Sequence, residues 1–415
     1  MRLPVEANYG VMEQLGSHVD GRSFLFLAMN VNRTWRDQAS RVLWEDPPVS
    51  ALANPELSED QRKRYATYIR QLHFAHDDFT TVHWIFGNLR FTQLRYIDID
   101  HSLLGDGPDL PLGQYIQGQL RHLKLRLGRV HHVEGVVDLM ATRCPNLESV
   151  DLRLHQNRWP AAREHLINLL DGKSLKTICI LDNETRSVDV GLFAYLARYN
   201  SLEELTLRAI LDAQDFINTF NDTANEYLFR NLHYFCFDRI DVACIPLLVS
   251  SLRPPHDLVE LRLALEGDSV DPLQYISELK SLQVLCIEYK GHVQWPVNDI
   301  RPLRELKNLV NLQIFHSRRV ASRITCLQLT DQDFASVFET KPSLQRLHFE
   351  VQNNSLTVEA FASLGRYCPQ LTHCALAGVY DLHTIWRRGN GQNHRPHFPQ
   401  LRSLALSRLV PPPGE

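Results

Sequence analysis

The sequence predicts an α/β solenoid: a curved stack of short parallel strands with the sheet on the concave side and helices behind it, preceded by a small all-α module. Three observations carry this prediction. An aliphatic-x-x-aliphatic-x-aliphatic spacing recurs thirteen times, its first members running from residue 69 to 401 at a mean period of roughly 28 residues. Stretches between the copies, such as 133–141 and 190–197, place apolar residues at steps of three and four, as in a helix packed on one side. The first 46 residues lack the repeat and carry a helical pattern of their own.

That first segment opens Leu3-Pro4-Val5-Glu6, and Ala7, Val11 and Leu15 follow at four-residue steps, one face of a short helix. Gly10 weakens this helix by about 1 kcal/mol. After Asp20-Gly21 come Ser23–Ala28, then Val31-Asn32-Arg33-Thr34-Trp35-Arg36 and a closing Leu43-Trp44, which read as two further helices. Three helices of this size cannot enclose a large core, so surplus apolar surface calls for a partner. Asp46-Pro47-Pro48 stops the last helix, because a residue before proline avoids the helical region. Residues 47–67 read as a linker with a short solvated helix around Glu59–Arg64.

Residues 68–415 hold the repeats, which begin at Ile69, Leu94, Leu120, Leu147, Leu175, Leu202, Leu232, Leu258, Leu282, Leu309, Leu344, Leu371 and Leu401. Within each copy the aliphatics point inward with period two and the intervening residues face solvent. One strand and one helix cannot bury themselves alone; stacked units can.

Composition narrows the function. The 415 residues include 44 Lys and Arg against 48 Asp and Glu, a formal charge of −4, with a pI near 6.5. This balance argues against a nucleic-acid binder or a polybasic membrane-surface protein. The longest N-terminal apolar run, Phe24–Met29, has neither the length of a membrane span nor a signal peptide's flanks, which predicts a cytoplasmic and/or nuclear protein. The eight cysteines include no C-x-x-C pair, so neither disulfides nor a metal framework is expected. Cys179, Cys236 and Cys286 share one outward position on alternate strands, about 9.6 Å apart, beyond disulfide reach, and read as small surface positions. No phosphate-binding loop, nucleophile elbow or H-E-x-x-H motif occurs, and no cofactor is implied. His131-His132-x-Glu134, the outward His348 and His373, and the Asp98/Asp100 pair read as ordinary solvent-facing side chains. The chain reads as non-catalytic.

The repeat spacing is that of leucine-rich repeats. Cys144-Pro-Asn-Leu147 and Cys368-Pro-Gln-Leu371 resemble the irregular, cysteine-containing repeats of F-box proteins. The first 46 residues resemble an F-box itself: Leu-Pro-x-Glu-aliphatic spacing at the start, Asn-Arg-x-Trp-Arg and Leu-Trp at the end, with Ala7 where a larger aliphatic is usual. The resemblance implies a substrate-recognition subunit of an SCF-type ubiquitin ligase. Its F-box would dock the Skp-family adaptor, and through it a cullin, using Leu3, Pro4, Glu6, Val11, Leu15, Trp35, Leu43 and Trp44. Some of these hold the helices together and some meet the adaptor, and the sequence does not separate them. The alternative is a leucine-rich-repeat scaffold whose N-terminal helices only cover the solenoid end.

The substrate surface is expected on the concave face. Directly after each strand's last aliphatic, the outward residues run Arg126, Arg153, Leu181, Arg208 and then Asp238, Ala264, Glu288, Phe315, Glu350. This predicts a basic first half and an acidic second half. With His122 and Lys124, the basic half fits an acidic or phosphorylated protein segment. The competing reading is a set of solvated cross-strand pairs, since Asp151 and Glu204 lie close by. The long interval holding Ser317–Thr325, with Arg318, Arg319 and Arg323, and the basic stretch Arg387–His397 read either as binding loops or as solvated ones.

Overall fold

The structure, a computed structural model, describes residues 5–17, 20–74, 80–101, 112–127, 133–154, 162–182, 188–208, 213–221, 228–252, 257–267, 271–317, 324–352, 356–380 and 398–409. The chain forms two compact units, residues 1–187 and 188–415.

The first unit opens with α1 (Val5–Gly16), α2 (Gly21–Ala28) and α3 (Arg33–Leu43), which pack against one another. Asn32 starts α3 by accepting the Trp35 backbone N–H at 2.9 Å, satisfying a donor the helix start would leave open. Met12, Leu25, Ala28 and Ala39 make the core of this module, and Leu15, Trp35, Val42 and Leu43 pack onto it. The expected Ala7–Val11–Leu15 stripe is therefore rotated: Met12 is buried and Val11 is exposed. A strict four-residue step drifts around a helix of 3.6 residues per turn. The close approach of α1 and α2 depends on Gly21, where a Cβ would meet the Gly16 carbonyl oxygen at 2.3 Å and the Leu15 carbonyl oxygen at 2.6 Å. Gly21→Ala is expected to destabilise the unit by about 2 kcal/mol, read from urea unfolding followed by circular dichroism. An unchanged midpoint would mean that the two helices can part freely.

Residues 47–67 do more than connect. They form α4 (Val49–Leu52) and α5 (Glu59–Ala66), the latter opened by a reciprocal Ser58–Gln61 capping box. Val49, Leu52 and Ala66 are buried. After them, β1 (Gln71–Phe74), β2 (Tyr96–His101), β3 (His122–Leu127), β4 (Ser149–Leu154) and β5 (Thr177–Asp182) pair in order as parallel neighbours. Helices α6 (Thr80–Ile85), α7 (Val133–Arg143) and α8 (Ala162–Leu170) lie between them in sequence. Each strand falls on a predicted motif.

The second unit continues with α9 (Val190–Ala197), β6 (Glu204–Arg208), α10 (Ala213–Asn221), β7 (Tyr234–Asp241), α11 (Ile245–Ser251), β8 (Glu260–Glu266), α12 (Pro272–Ile276) and β9 (Val284–Tyr289). It goes on through β10 (Val293–Gln294), β11 (Asn311–His316), β12 (Ile324–Thr325), α13 (Asp331–Phe338), β13 (Arg346–Phe349), β14 (Val351–Gln352), α14 (Val358–Tyr367), β15 (His373–Tyr380) and β16 (Ser403–Leu409). The eight strands on repeat motifs are parallel, in the order β6-β7-β8-β9-β11-β13-β15-β16, and β10-β12-β14 form a small second sheet that the repeat pattern did not announce.

One hydrogen-bond device joins successive repeats. The carbonyl of the residue after the first aliphatic accepts two backbone N–H groups from the next repeat. Arg70 takes those of Arg95 and Tyr96 at 2.8 and 3.0 Å, and Val259 takes those of Gln283 and Val284 at 2.9 and 3.0 Å. The Glu45 carbonyl does the same for Arg70 and Gln71, at 2.8 and 2.9 Å, so the helical module sits against β1 as if it were a preceding repeat. Asparagines just before the first aliphatic add a second tie. The Asn146, Asn231 and Asn308 side chains donate to the carbonyls of Gly118, Asn200 and Lys280 at 3.0, 2.6 and 2.9 Å. The Cys-Pro turns serve a similar end, the Cys144 thiol donating to the Gln117 carbonyl at 3.3 Å.

Candidate interaction surfaces

Two surfaces follow from this frame, one on the helical module and one on the strand faces. Of the residues expected to meet an adaptor, Leu3 and Pro4 lie outside the described residues, as does the side chain of Glu6 in α1. Leu15, Trp35 and Leu43 pack on the module core, and Trp44 stacks on Tyr65 with ring centroids 4.2 Å apart. Val11 is exposed, and so are Phe24 (46 %), Phe26 (60 %), Leu27 (67 %) and Val31 (58 %). The Phe24-Leu25-Phe26-Leu27 run has more apolar residues than one helix face can bury: Leu25 turns inward and its neighbours remain in water. That surplus is legible in the sequence as four consecutive large apolar residues, Phe24 to Leu27.

The other side of the module is fastened to the first repeat. The Tyr9 hydroxyl donates to the Glu45 carboxylate, which also meets the Arg70 guanidinium at 3.4 Å. Burial and this hydrogen bond push the Tyr9 hydroxyl up to about 12, and burial likewise raises the Glu45 carboxyl.

On the strand face of the first unit, the expected substrate residues are matched by carboxylates. Lys124 pairs with Asp98 at 3.0 Å and Arg126 with Asp100 at 2.6 Å, both across strands. Arg153 grips Asp151 on its own strand through two parallel hydrogen bonds of 3.0 and 3.1 Å. His122 sits half-buried beside the Tyr96 ring. In the second unit Arg208 meets Asp238 at 2.5 Å, and Lys290 bonds the same carboxylate. Burial works to raise the Asp238 carboxyl, but Lys290 and Arg208 outweigh it and hold it below the usual carboxylate range. Arg262 pairs with Glu260, and Arg239 with Glu266 at 2.9 Å. The expected division into a basic and an acidic half is thus replaced by interleaved charge. The position after the last aliphatic is itself of mixed sign, since Asp100 of β2 stands beside Arg126 and Arg208 beside Asp238, while Arg153 draws its partner Asp151 from two residues earlier on its own strand.

The outward cysteines also differ from expectation. Cys179 and Cys286 are buried and Cys236 is partly so, because neighbours in register, among them Asp151 and Arg262, cover them. Burial pushes the Cys286 thiol up to about 11. His131, His132, residues 318–323 and residues 381–397 lie outside the described residues. Among the described residues no group of three His, Cys, Asp or Glu side chains could hold a metal ion, and no helix is long and apolar enough to cross a membrane.

No family model and no curated protein matches the sequence. Among solved structures, the chain is similar to an internalin (inlF) from Listeria monocytogenes, at 13 % identity and a TM-score of 0.44, over 86 % of this chain and 92 % of that one. It is also similar to the complex of Rad7 and Elc1 in yeast, at 15 % identity and a TM-score of 0.42, over 93 % and 98 % of the two chains. The strand register and the repeating carbonyl ties define the class by themselves: this is a leucine-rich-repeat α/β solenoid.

Proposed function

We propose that this chain is the substrate-recognition subunit of an SCF-type ubiquitin ligase, with the N-terminal helices docking a Skp-family adaptor and the repeats binding a protein substrate. The observation that supports this reading is the exposed apolar set Phe24, Phe26, Leu27 and Val31 on a module whose Glu45 end is tied to β1. Large apolar side chains clustered in so small a module mark a protein-binding face. The chemistry belongs to the ligase partners. This chain raises the effective concentration of a substrate beside them.

The test is co-purification of the full chain with a purified Skp-family adaptor. Phe24→Asp/Leu27→Asp is expected to weaken binding at least tenfold while leaving the melting temperature unchanged, because both side chains already face water. Trp35→Ala is a poorer probe, since Trp35 packs on the module core and its loss unfolds the face it is meant to test. The second reading, a scaffold whose helices only close the first repeat, draws on the Glu45 tie. Absence of adaptor binding by the unaltered chain would favour it.

A further inference from the structure

Among the described residues, the strand face of the second unit contains one departure from the interleaved pairing. Lys124, Arg126, Arg153, Arg208 and Arg262 on the strand faces each have a carboxylate partner; among the described residues Arg346 has none. In register it lies between Asn311 of β11 and His373 of β15, and His373 lies beside Ser403 of β16. From Val284 to Ser403 that row carries no acid. Glu350, four residues further along the chain, is occupied by His348 at 2.8 Å and His316 at 3.5 Å.

Shape changes at the same place. The next outward row reads Gln313, His348, Ala375 and Ala405, so two long side chains give way to two methyl groups. The result is a depression of about 330 Å³ floored by Ala375 and Ala405 and bordered by Arg346, His348, His373 and Ser403. It continues over Ala377 and Ser407 into a second opening of about 240 Å³. One wall is pre-organised. The His348 ring is stacked on Phe315, with centroids 5.3 Å apart and planes 6° from parallel, and is held at its far side by Glu350.

We infer that this groove binds an extended segment of a protein partner and that Arg346 pairs with an aspartate or glutamate side chain of that segment. The groove crosses four strands, about 14 Å, which accommodates about four extended residues. A small apolar floor lets a backbone approach closely, and an exposed guanidinium offers a carboxylate two parallel hydrogen bonds. One permanent positive charge matches a monoanion; a phosphate dianion calls for more cations than this row supplies. The inference rests on reading the chain as a protein-binding receptor and is independent of adaptor docking.

The test selects a random dodecapeptide phage library on the full chain, then measures selected synthetic peptides by fluorescence polarisation. Selected peptides are expected to share an Asp or Glu, and its replacement by Ala should weaken binding at least tenfold. Arg346→Ala should weaken binding by a similar factor, Arg346→Lys by less, and Ala405→Trp, which fills the groove, should abolish it. Arg153→Ala should leave binding within twofold. Circular dichroism of each variant establishes folding, and retained adaptor binding separates failure here from failure of the ligase reading. Selected peptides without an acid, binding insensitive to both Arg346→Ala and Ala405→Trp, an empty selection, or tighter binding of a phosphoserine replacement would each overturn the inference.

Discussion

In alkaline solution the second unit is expected to unfold between about pH 10 and pH 11. Burial pushes the thiols of Cys286 and Cys326 up to about 11, and those of Cys368 and Cys374 up to about 12, from an ordinary value of 9. Below that ordinary value both the folded and the unfolded chain keep these thiols protonated. Above it the unfolded chain ionises first, so stability falls as pH rises toward the folded-state values. At pH 11 the four thiols together cost about 10 kcal/mol. Lys341 acts in the opposite sense. Its buried ammonium donates to the carbonyls of Leu303 and Leu306 at 2.6 and 3.1 Å, and burial lowers it to about 8. It returns about 3 kcal/mol as the folded state sheds its proton before the unfolded state does. The thiols outweigh this one ammonium, and the Tyr234 and Tyr289 hydroxyls, which burial also raises, act in the same sense as the thiols. Circular dichroism against pH should show the transition, and Cys368→Ala/Cys374→Ala should move it to higher pH. Native thiols that titrate near pH 9 with the fold intact would refute this account.

Phe193→Ala is expected to cost about 4 kcal/mol, near the upper end for truncating one buried ring. Phe193 is fully buried in α9, and its ring centroid lies 5.5 Å from those of Phe216 and Phe220 and 5.6 Å from those of Phe229 and Phe237. Its removal leaves a cavity and strips several favourable ring contacts at once. The cluster also steadies a strained backbone: Phe229 has φ 52°, a left-handed conformation that a non-glycine residue avoids, and its N–H donates to the Ala197 carbonyl at 2.6 Å. Phe193→Leu should cost only about 1–2 kcal/mol. Urea unfolding of both variants measures the difference, and equal midpoints would show that the surrounding rings collapse into the space.

Most of the fold was legible because its unit is short and repeats. Leucines at fixed spacing specify which side of each strand is buried, and Leu123, Leu125, Leu205 and Leu207 are all buried as that spacing requires. Charge pairing was harder, because it depends on which residues become neighbours across strands. Aligning the repeats does place Asp98 beside Lys124 and Asp100 beside Arg126, each a cross-strand pair of opposite sign. The rotated face of α1 escaped because Val11 and Met12 are adjacent apolar residues, and packing against α2 and α3 decides between them. The small sheet of Val293–Gln294, Ile324–Thr325 and Val351–Gln352 was invisible because two-residue pairings carry no periodicity.

The Glu45 tie bears on how the N-terminal helices can be removed experimentally. Deleting residues 1–46 takes away the acceptor of the Arg70 and Gln71 N–H groups at β1, the end strand of its sheet. A row of unpaired backbone donors and acceptors above buried Leu72 and Phe74 is a template for pairing with other chains. A truncated protein is therefore prone to self-association, and its failure to bind a partner reflects aggregation as readily as a missing docking site. Charge substitutions at Phe24 and Leu27 leave the Glu45 tie in place, and they make the cleaner way to separate what the helices bind from what they hold together.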